Sequence, residues 1–228
     1  MFINVLLSSI CVCLTLGLYS QQTISSYTNT EMITLSANGV SNLYSIGWSE
    51  KGKFAFIQSQ DHESVVVIFN NVTDRVIWSM PLISDAEVSK KEIELIDKAF
   101  LSNGIVRSSN CQLNDFPIVI SEDIIDVNLD KKETIVEWTK TGMEDSFEVS
   151  LVHEYSLFLK SSKQGWKLIT AKKDESEPSL IIVKGYIKSP FEGRIFILVQ
   201  FEYFNTMTEE FETKMSYYGS NTIAHFHN

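Results

Sequence analysis

The amino-acid sequence predicts a mainly β protein, in which antiparallel sheets are accompanied by one amphipathic helix. Short runs of β-branched and aromatic residues recur along most of the chain and are separated by turn residues, a pattern typical of antiparallel strands. Only one segment, at about 85–102, carries apolar residues at the helical period. The 228 residues, 44% of them hydrophobic, are enough to bury a core without disulfides or a structural metal.

The first 20 residues carry no charge, and apolar residues dominate from Val5 to Leu18 before the chain becomes polar at Ser20. This pattern predicts a signal peptide at residues 1–20, and therefore an extracytoplasmic protein that is either periplasmic or secreted. An uncleaved anchor is the alternative, and it is the one way in which we expect the chain to contact a membrane. Lipid attachment at Cys11 or Cys13 is disfavoured because no small residue precedes either cysteine.

Cleavage after residue 20 would leave Cys111 as the single cysteine, so the mature protein would contain no internal disulfide. A nucleophilic cysteine needs a nearby histidine and a stabilised thiolate, and no family signature surrounds Cys111. We therefore expect a packed thiol at this position.

Four strands are predicted between residues 43 and 80, as a blade-like meander. The turn at Ser49–Gly52 joins the first two strands, and Gly52 supplies the positive φ that such a turn needs. The predicted strands are Leu43–Trp48, Lys53–Gln58, Val65–Phe69 and Arg75–Ser79.

The stretch from Ile46 to Trp78 resembles one blade of a TolB-like or WD40-like β-propeller, because Trp48–Phe56 carries the W-S-x-x-G-K-x-A-F pattern of those repeats. Asn70 and Asp74 replace the usual Asp and Gly of the second turn. No second copy of the motif occurs, and a propeller needs at least four blades, so the resemblance implies a single blade-like meander within another architecture. Together with Gly185–Glu192, the longer pattern also resembles exported bacterial proteins with no known activity.

The predicted helix covers about 85–102. Ser84 and Glu87 have the spacing of a capping box, and Gly104 suits the left-handed position that ends a helix. An apolar stripe of this width normally covers a sheet, so core packing is favoured over partner or membrane binding. The stripe consists of Ile93, Leu95, Ile96, Ala99 and Phe100.

From about 115 to 215 strand patterns return and predict a second, larger sheet region. The expected architecture is either two packed antiparallel sheets or a blade-like meander continued by a larger sheet. No biased linker occurs, so we predict one domain at 21–228, with a split near residue 105 as the alternative. The predicted strands are Pro117–Ile120, Ile124–Leu129, Glu133–Thr139, Phe147–Lys160, Trp166–Lys172, Leu180–Lys188 and Arg194–Phe204.

The charge balance of 19 Lys and Arg against 29 Asp and Glu gives a net charge of −10. No basic run is longer than two residues, which argues against nucleic acid as a partner. The glycine-rich phosphate loop and the common hydrolase motifs are absent as well. We therefore predict no cofactor and a protein or a glycan as partner.

Two groups of residues have spacings found in metal sites. Asp126, Asn128, Asp130 and Glu137 match positions 1, 3, 5 and 12 of a calcium-binding loop. Lys131 stands where that loop needs glycine, so we favour a hairpin with its tip at 130–132. The second group is His225 and His227, for which a frayed C-terminus is the favoured interpretation because zinc needs further ligands, and His62 and His153 lie far away in sequence.

No residue qualifies as catalytic from the sequence, so the leading hypothesis is a non-catalytic binding protein of the cell envelope. A hydrolase of envelope polymers that uses paired carboxylates is the alternative, and a metal-dependent binder is the third. Aromatic side chains either form the core or a platform for sugars or peptides. The candidates for such a platform are Trp48, Trp78, Trp138, Trp166, Phe54, Phe56, Tyr186, Phe191, Tyr203 and Phe204.

Overall fold

The computed structural model describes residues 32–34, 41–60, 63–82, 89–108, 111–139, 142, 146–173 and 176–227. Over these residues the fold is mainly β with a single helix, which confirms the predicted fold class. Contacts divide the chain into two compact units, with the boundary between Gln112 and Leu113, although residues 71–74 group with the second unit. The sequence analysis gave a split near residue 105 as the alternative to a single domain, and the observed boundary lies seven residues after that position. The predicted signal peptide at 1–20 lies outside the described residues.

The first unit is built on an antiparallel meander, because each strand returns beside its predecessor through a tight turn. Gly52 has a φ of 73°, as the turn chemistry predicted. Asp74 has a φ of 51°, so an aspartate occupies a left-handed position that glycine adopts without strain. The sheet order is β1 (Met32–Thr34), β2 (Ser41–Trp48), β3 (Lys53–Gln60), β4 (Glu63–Asn70) and β5 (Arg75–Leu82), and β6 (Val106–Arg107) pairs with β2.

Helix α1 (Lys90–Asn103) starts later than predicted. Ser89 is extended, with φ −64° and ψ 151°, and forms a reciprocal capping box with Glu92. The predicted start of the helix near Asp85 is therefore wrong. A second Ser-x-x-Glu pattern, five residues after the first, provides the cap. Ser84 and Glu87 lie outside the described residues. Gly104 ends the helix in the left-handed conformation, as predicted. No helix in the described ranges is long and apolar enough to cross a membrane.

Helix α1 covers one face of the meander, as its stripe predicted. Ile96, Ala99 and Phe100 are buried in one cluster with alternate residues of the strands, such as Ile57 and Ile68. Leu95 is 46% exposed, so the stripe is narrower than expected. On the other face of the meander the rings of Trp48, Phe54 and Phe56 stack on one another and are fully buried.

The second unit contains two four-stranded antiparallel sheets. Gly165, at the predicted turn, has a φ of 88° and joins two strands of the first of these sheets. That sheet has the order β11 (Gly165–Lys173), β10 (Ser146–Ser161), β9 (Asp123–Thr139) and β8 (Ile118–Ile120). The other has the order β14 (Glu210–Asn221), β13 (Arg194–Asn205), β12 (Leu180–Lys188) and β7 (Leu113–Asn114).

The two sheets of this unit share one hydrophobic core. Leu157 and Leu159 of β10 lie in the same buried cluster as Ile195 and Ile197 of β13, so the sheets form a sandwich. Burying each such aliphatic side chain contributes roughly 1.5–3 kcal/mol. In each strand the intervening residues face away from this core because strand side chains alternate.

Strand β9 corrects the prediction of a hairpin at 130–132. It is one continuous strand of 17 residues that pairs with β10 from Ile125 to Thr139. Lys131 and Lys132 pair with Tyr155 and Glu154 instead of forming a tip. Strand β14, which the sequence analysis did not identify, pairs with β13 from end to end. The polar stretch 130–132 of β9 and most of β14 lack the apolar runs on which the strand predictions were based.

The turn between β10 and β11 is held by the carboxylate of Asp123. Burial raises the pKa of this carboxyl, but the hydrogen bonds that it accepts more than offset this, so the pKa lies below its ordinary value. Four donors surround it, at 2.8 to 3.2 Å: the hydroxyls of Ser161 and Ser162, the backbone N–H of Lys163 and the side-chain amide of Gln164.

We predict that Asp123→Asn weakens the fold and flattens its response to acid. A carboxyl with a lowered pKa adds stability above its unfolded pKa of about 3.9, and this stability disappears as the pH falls through the folded value. Denaturant titrations between pH 7 and pH 2 will measure the free energy of unfolding of both proteins. We expect it to fall more steeply with decreasing pH in wild type than in Asp123→Asn. Asp115→Asn is the control for the loss of one exposed negative charge. Parallel pH profiles of wild type and Asp123→Asn would contradict the prediction.

Candidate functional site

A polar face with exposed aromatic rings forms the outer side of the sheet β11-β10-β9-β8. Ile125, Val127 and Leu129 of β9 pack on the sandwich core. Strand alternation therefore turns the residue after each of these outward, and all three such residues are exposed. They are Asp126, Asn128 and Asp130.

A groove of about 510 Å³ lies on this outer face. Its aromatic wall is made by Phe158 of β10 and Trp166 of β11, whose rings meet edge to face with centroids 5.8 Å apart. Trp166 is 46% exposed, which leaves an indole surface available to a ligand. The lining residues are Asn128, Leu129, Asp130, Phe158, Lys160 and Trp166.

The polar wall of the groove places an amide, a carboxylate and an ammonium around the rings. Asn128 lies directly opposite Phe158 in the sheet, and Lys160 lies between Asp126 and Trp166 on the neighbouring strands. The groove therefore offers hydrogen-bond donors and acceptors beside apolar ring surface, which is the usual composition of a small-molecule site.

The C-terminal segment fixes the position of Trp166. The backbone N–H and C=O of Trp166 both bond to His227, at 2.9 and 2.8 Å, and the two rings lie 5.6 Å apart. The prediction of a frayed C-terminus is therefore wrong as far as His227, because this residue adds a short bridge to the edge of β11. The described residues contain no group of three metal-ligating side chains around His225, His227 or elsewhere. His62 lies outside the described residues.

The calcium hypothesis fails on backbone shape. Asp126, Asn128, Asp130 and Glu137 lie along one extended strand, whereas a calcium loop must bend sharply to converge its oxygens. Asp126 and Asp130 are four residues apart, which on a strand separates their backbones by about 14 Å. Paired catalytic carboxylates lie within roughly 5 to 10 Å of each other, so these two do not have that spacing.

The predicted aromatic platform divides into core, cluster and groove residues. Trp48, Phe54, Phe56 and Tyr186 are buried, and Trp78 packs against the first core. A second set packs ring against ring on β9, β10, β13 and β14: Trp138, Phe147, Phe204 and Phe211, while Tyr203 stacks on Phe201. Phe191 is 43% exposed in the loop between β12 and β13. Of the predicted platform, only Trp166 lines the groove.

Sequence analysis missed Phe158 and Lys160 as groove residues. Both lie on a strand whose alternate residues are apolar, and this alternation was the available signal for an outward pair. It could not be used alone, because every second residue of β10 is buried only from Tyr155 to Ser161.

Comparisons with protein-family models, with curated proteins and with solved structures found no match for this chain. The resemblance to a propeller blade therefore stays a prediction.

Cys111 lies apart from the groove and is 2% exposed. Burial raises the pKa of its thiol, which keeps it protonated and unreactive at neutral pH.

We predict that iodoacetamide labels Cys111 slowly in the native protein and rapidly in guanidinium chloride, because only the exposed thiolate reacts. Mass spectrometry of the peptide that contains Cys111 will measure the labelled fraction over time and separate it from Cys11 and Cys13. Equal labelling rates in the two conditions would contradict the burial of this thiol.

Proposed function

We propose that this chain is an exported protein of the cell envelope whose outer groove binds a glycan. The observation that carries the proposal is the exposed indole of Trp166, held edge to face against Phe158 among an amide, a carboxylate and an ammonium group. The flat apolar face of a sugar ring packs on an aromatic ring, and its hydroxyls bond to such polar side chains.

Export is the part of the proposal that rests on the first 20 residues. Their uncharged apolar pattern supports a signal peptide, and glycans are abundant outside the cytoplasm. The acidic balance of the chain supports a neutral or amino-sugar ligand over a polyanion, because Lys160 is the only cation among the described residues that line the groove.

The groove itself is proposed to bind without performing chemistry. Asp130 is the one carboxylate of its lining, and the paired carboxylates of the alternative hydrolase need a second within about 10 Å. On the same strand the nearest outward carboxylate is Asp126, about 14 Å away. On the neighbouring strand Glu154 lies diagonally across from Asp130, but it is already ion-paired with Lys132.

We expect Trp166→Ala to weaken glycan binding at least tenfold, since it removes the main apolar surface for the sugar. Affinity electrophoresis in gels that contain single polysaccharides, including peptidoglycan fragments, will measure the retardation of each variant. Phe191→Ala is the matched control, because Phe191 is an equally exposed aromatic outside the groove. Equal retardation of Trp166→Ala and wild type on every retained glycan, or no retained glycan at all, would overturn the proposal.

A further inference from the structure

A hydroxyl, an imidazole and a carboxylate of the second unit form a hydrogen-bonded relay. Nε2 of His153 lies 2.7 Å from Oγ1 of Thr134. Nδ1 of His153 lies 2.7 Å from Oε1 of Glu177. Both distances fall in the range found between a nucleophile and its base, and between that base and the group that orients it. We propose that this relay is an acyl-transfer site that hydrolyses carboxylic esters.

A β-bulge in β10 aims His153 into this relay. The pairing with β9 passes from Val152 opposite Glu133 to Glu154 opposite Lys132, so His153 has no partner across the ladder. Bulges redirect a side chain and are frequent beside active sites. Thr134 pairs with Leu151, two positions before His153, so the imidazole reaches Thr134 diagonally across the ladder.

Glu177 is held in place by its backbone. The N–H of Val152 donates to the C=O of Pro178 at 2.9 Å, which anchors the segment beside the bulge. Glu177 itself has a φ of 49°, a region that residues with a side chain rarely adopt. Such conformations persist where the surrounding structure imposes them, often at functional sites. We therefore assign Glu177 as a positioning residue whose carboxylate accepts a hydrogen bond from Nδ1–H of His153.

The relay is open to a substrate. Thr134 is exposed, and the side chains of His153 and Glu177 are 37% and 39% exposed. In the described part of the chain β9 pairs with β8 only at 123–125, so the stretch that carries Thr134 has an open edge. Alternate backbone N–H groups along such an edge are available to stabilise an oxyanion.

The reaction is acyl transfer through a threonine ester. Oγ1 of Thr134 attacks the carbonyl carbon of the ester and forms a C–O bond, while its proton moves to Nε2 of His153. The bond to the leaving alcohol then breaks, and the alkoxide takes this proton. A water molecule next attacks the acyl-threonine, gives a proton to Nε2 and releases the carboxylic acid, and the proton returns to Thr134.

The substrate class follows from the face on which the relay lies. Thr134 and Asp130 are both outward residues of β9, four positions or about 14 Å apart. An ester on a glycan that occupies the groove would therefore extend along the strand toward Thr134. This assignment of an O-acylated glycan rests on the proposed function, whereas the ester chemistry does not.

The test uses p-nitrophenyl acetate with the full chain. Because this ester contains no sugar, its hydrolysis measures ester cleavage independently of glycan binding. We expect Thr134→Ser to retain hydrolysis and Thr134→Val to reduce kcat about a hundredfold, a typical effect of losing acid–base or nucleophilic catalysis. Thr139→Val is the matched control, since Thr139 lies on the same strand outside the relay. Mass spectrometry of the wild-type protein, quenched during turnover, is expected to show an acetyl group on the Thr134 peptide.

The role of Glu177 is tested by Glu177→Gln, for which we expect kcat to fall while KM stays unchanged. Equal rates for wild type and Thr134→Val, or acetylation at residues other than Thr134, would overturn the relay even if glycans bind. The substrate class is then tested by measuring the acetate that wild type and Thr134→Val release from an acetylated polysaccharide. Equal release by the two proteins would overturn the assignment of an O-acylated glycan.

Discussion

The alternation of side chains across a pleated strand is the constraint on which the second unit depends. Because Ile125, Val127 and Leu129 must enter the sandwich core, the residues between them are forced outward. The same constraint acts on β10, where Leu157 and Leu159 are buried and Phe158 and Lys160 are not. The groove is therefore a consequence of core packing, since all of its lining residues except Leu129 come from positions that the core leaves free.

The bulge at His153 is the one place where β10 departs from this alternation against β9. A regular ladder would give His153 a single facing partner on β9, and that partner would be Lys132. The extra residue places His153 between Thr134 and Glu177, with 2.7 Å on either side. Local irregularity in an otherwise regular sheet thus supplies the geometry that chemistry needs.

Binding and ester cleavage are compatible on one sheet. The groove offers ring surface and hydrogen-bonding groups, whereas the relay has a nucleophile, a base and an orienting carboxylate but little surface to hold a substrate. A glycan held at Trp166 and extended along β9 would supply the proximity that the exposed relay lacks. The first unit, with its helix-covered meander, contributes none of the residues assigned here.

Local sequence determined the elements whose signals lie within a few residues. The turns at Gly52 and Gly165, the glycine that ends α1 and the apolar stripe around Ile96 are short-range patterns, and each was predictable. The β class followed from the density of β-branched and aromatic runs. The start of α1 was misplaced because the sequence contains two Ser-x-x-Glu patterns, and the helix is capped by the second, at Ser89 and Glu92.

Tertiary structure alone decided the polar strands and both sites. The stretch 130–132 of β9 and most of β14 are polar, and they are strands because a neighbouring strand satisfies their backbone groups. The relay joins residues that lie 19 and 24 positions apart, so no spacing in the sequence marks it. Residue identity sets what each side chain can do, but strand pairing sets which side chains meet, and pairing depends on contacts between distant parts of the chain.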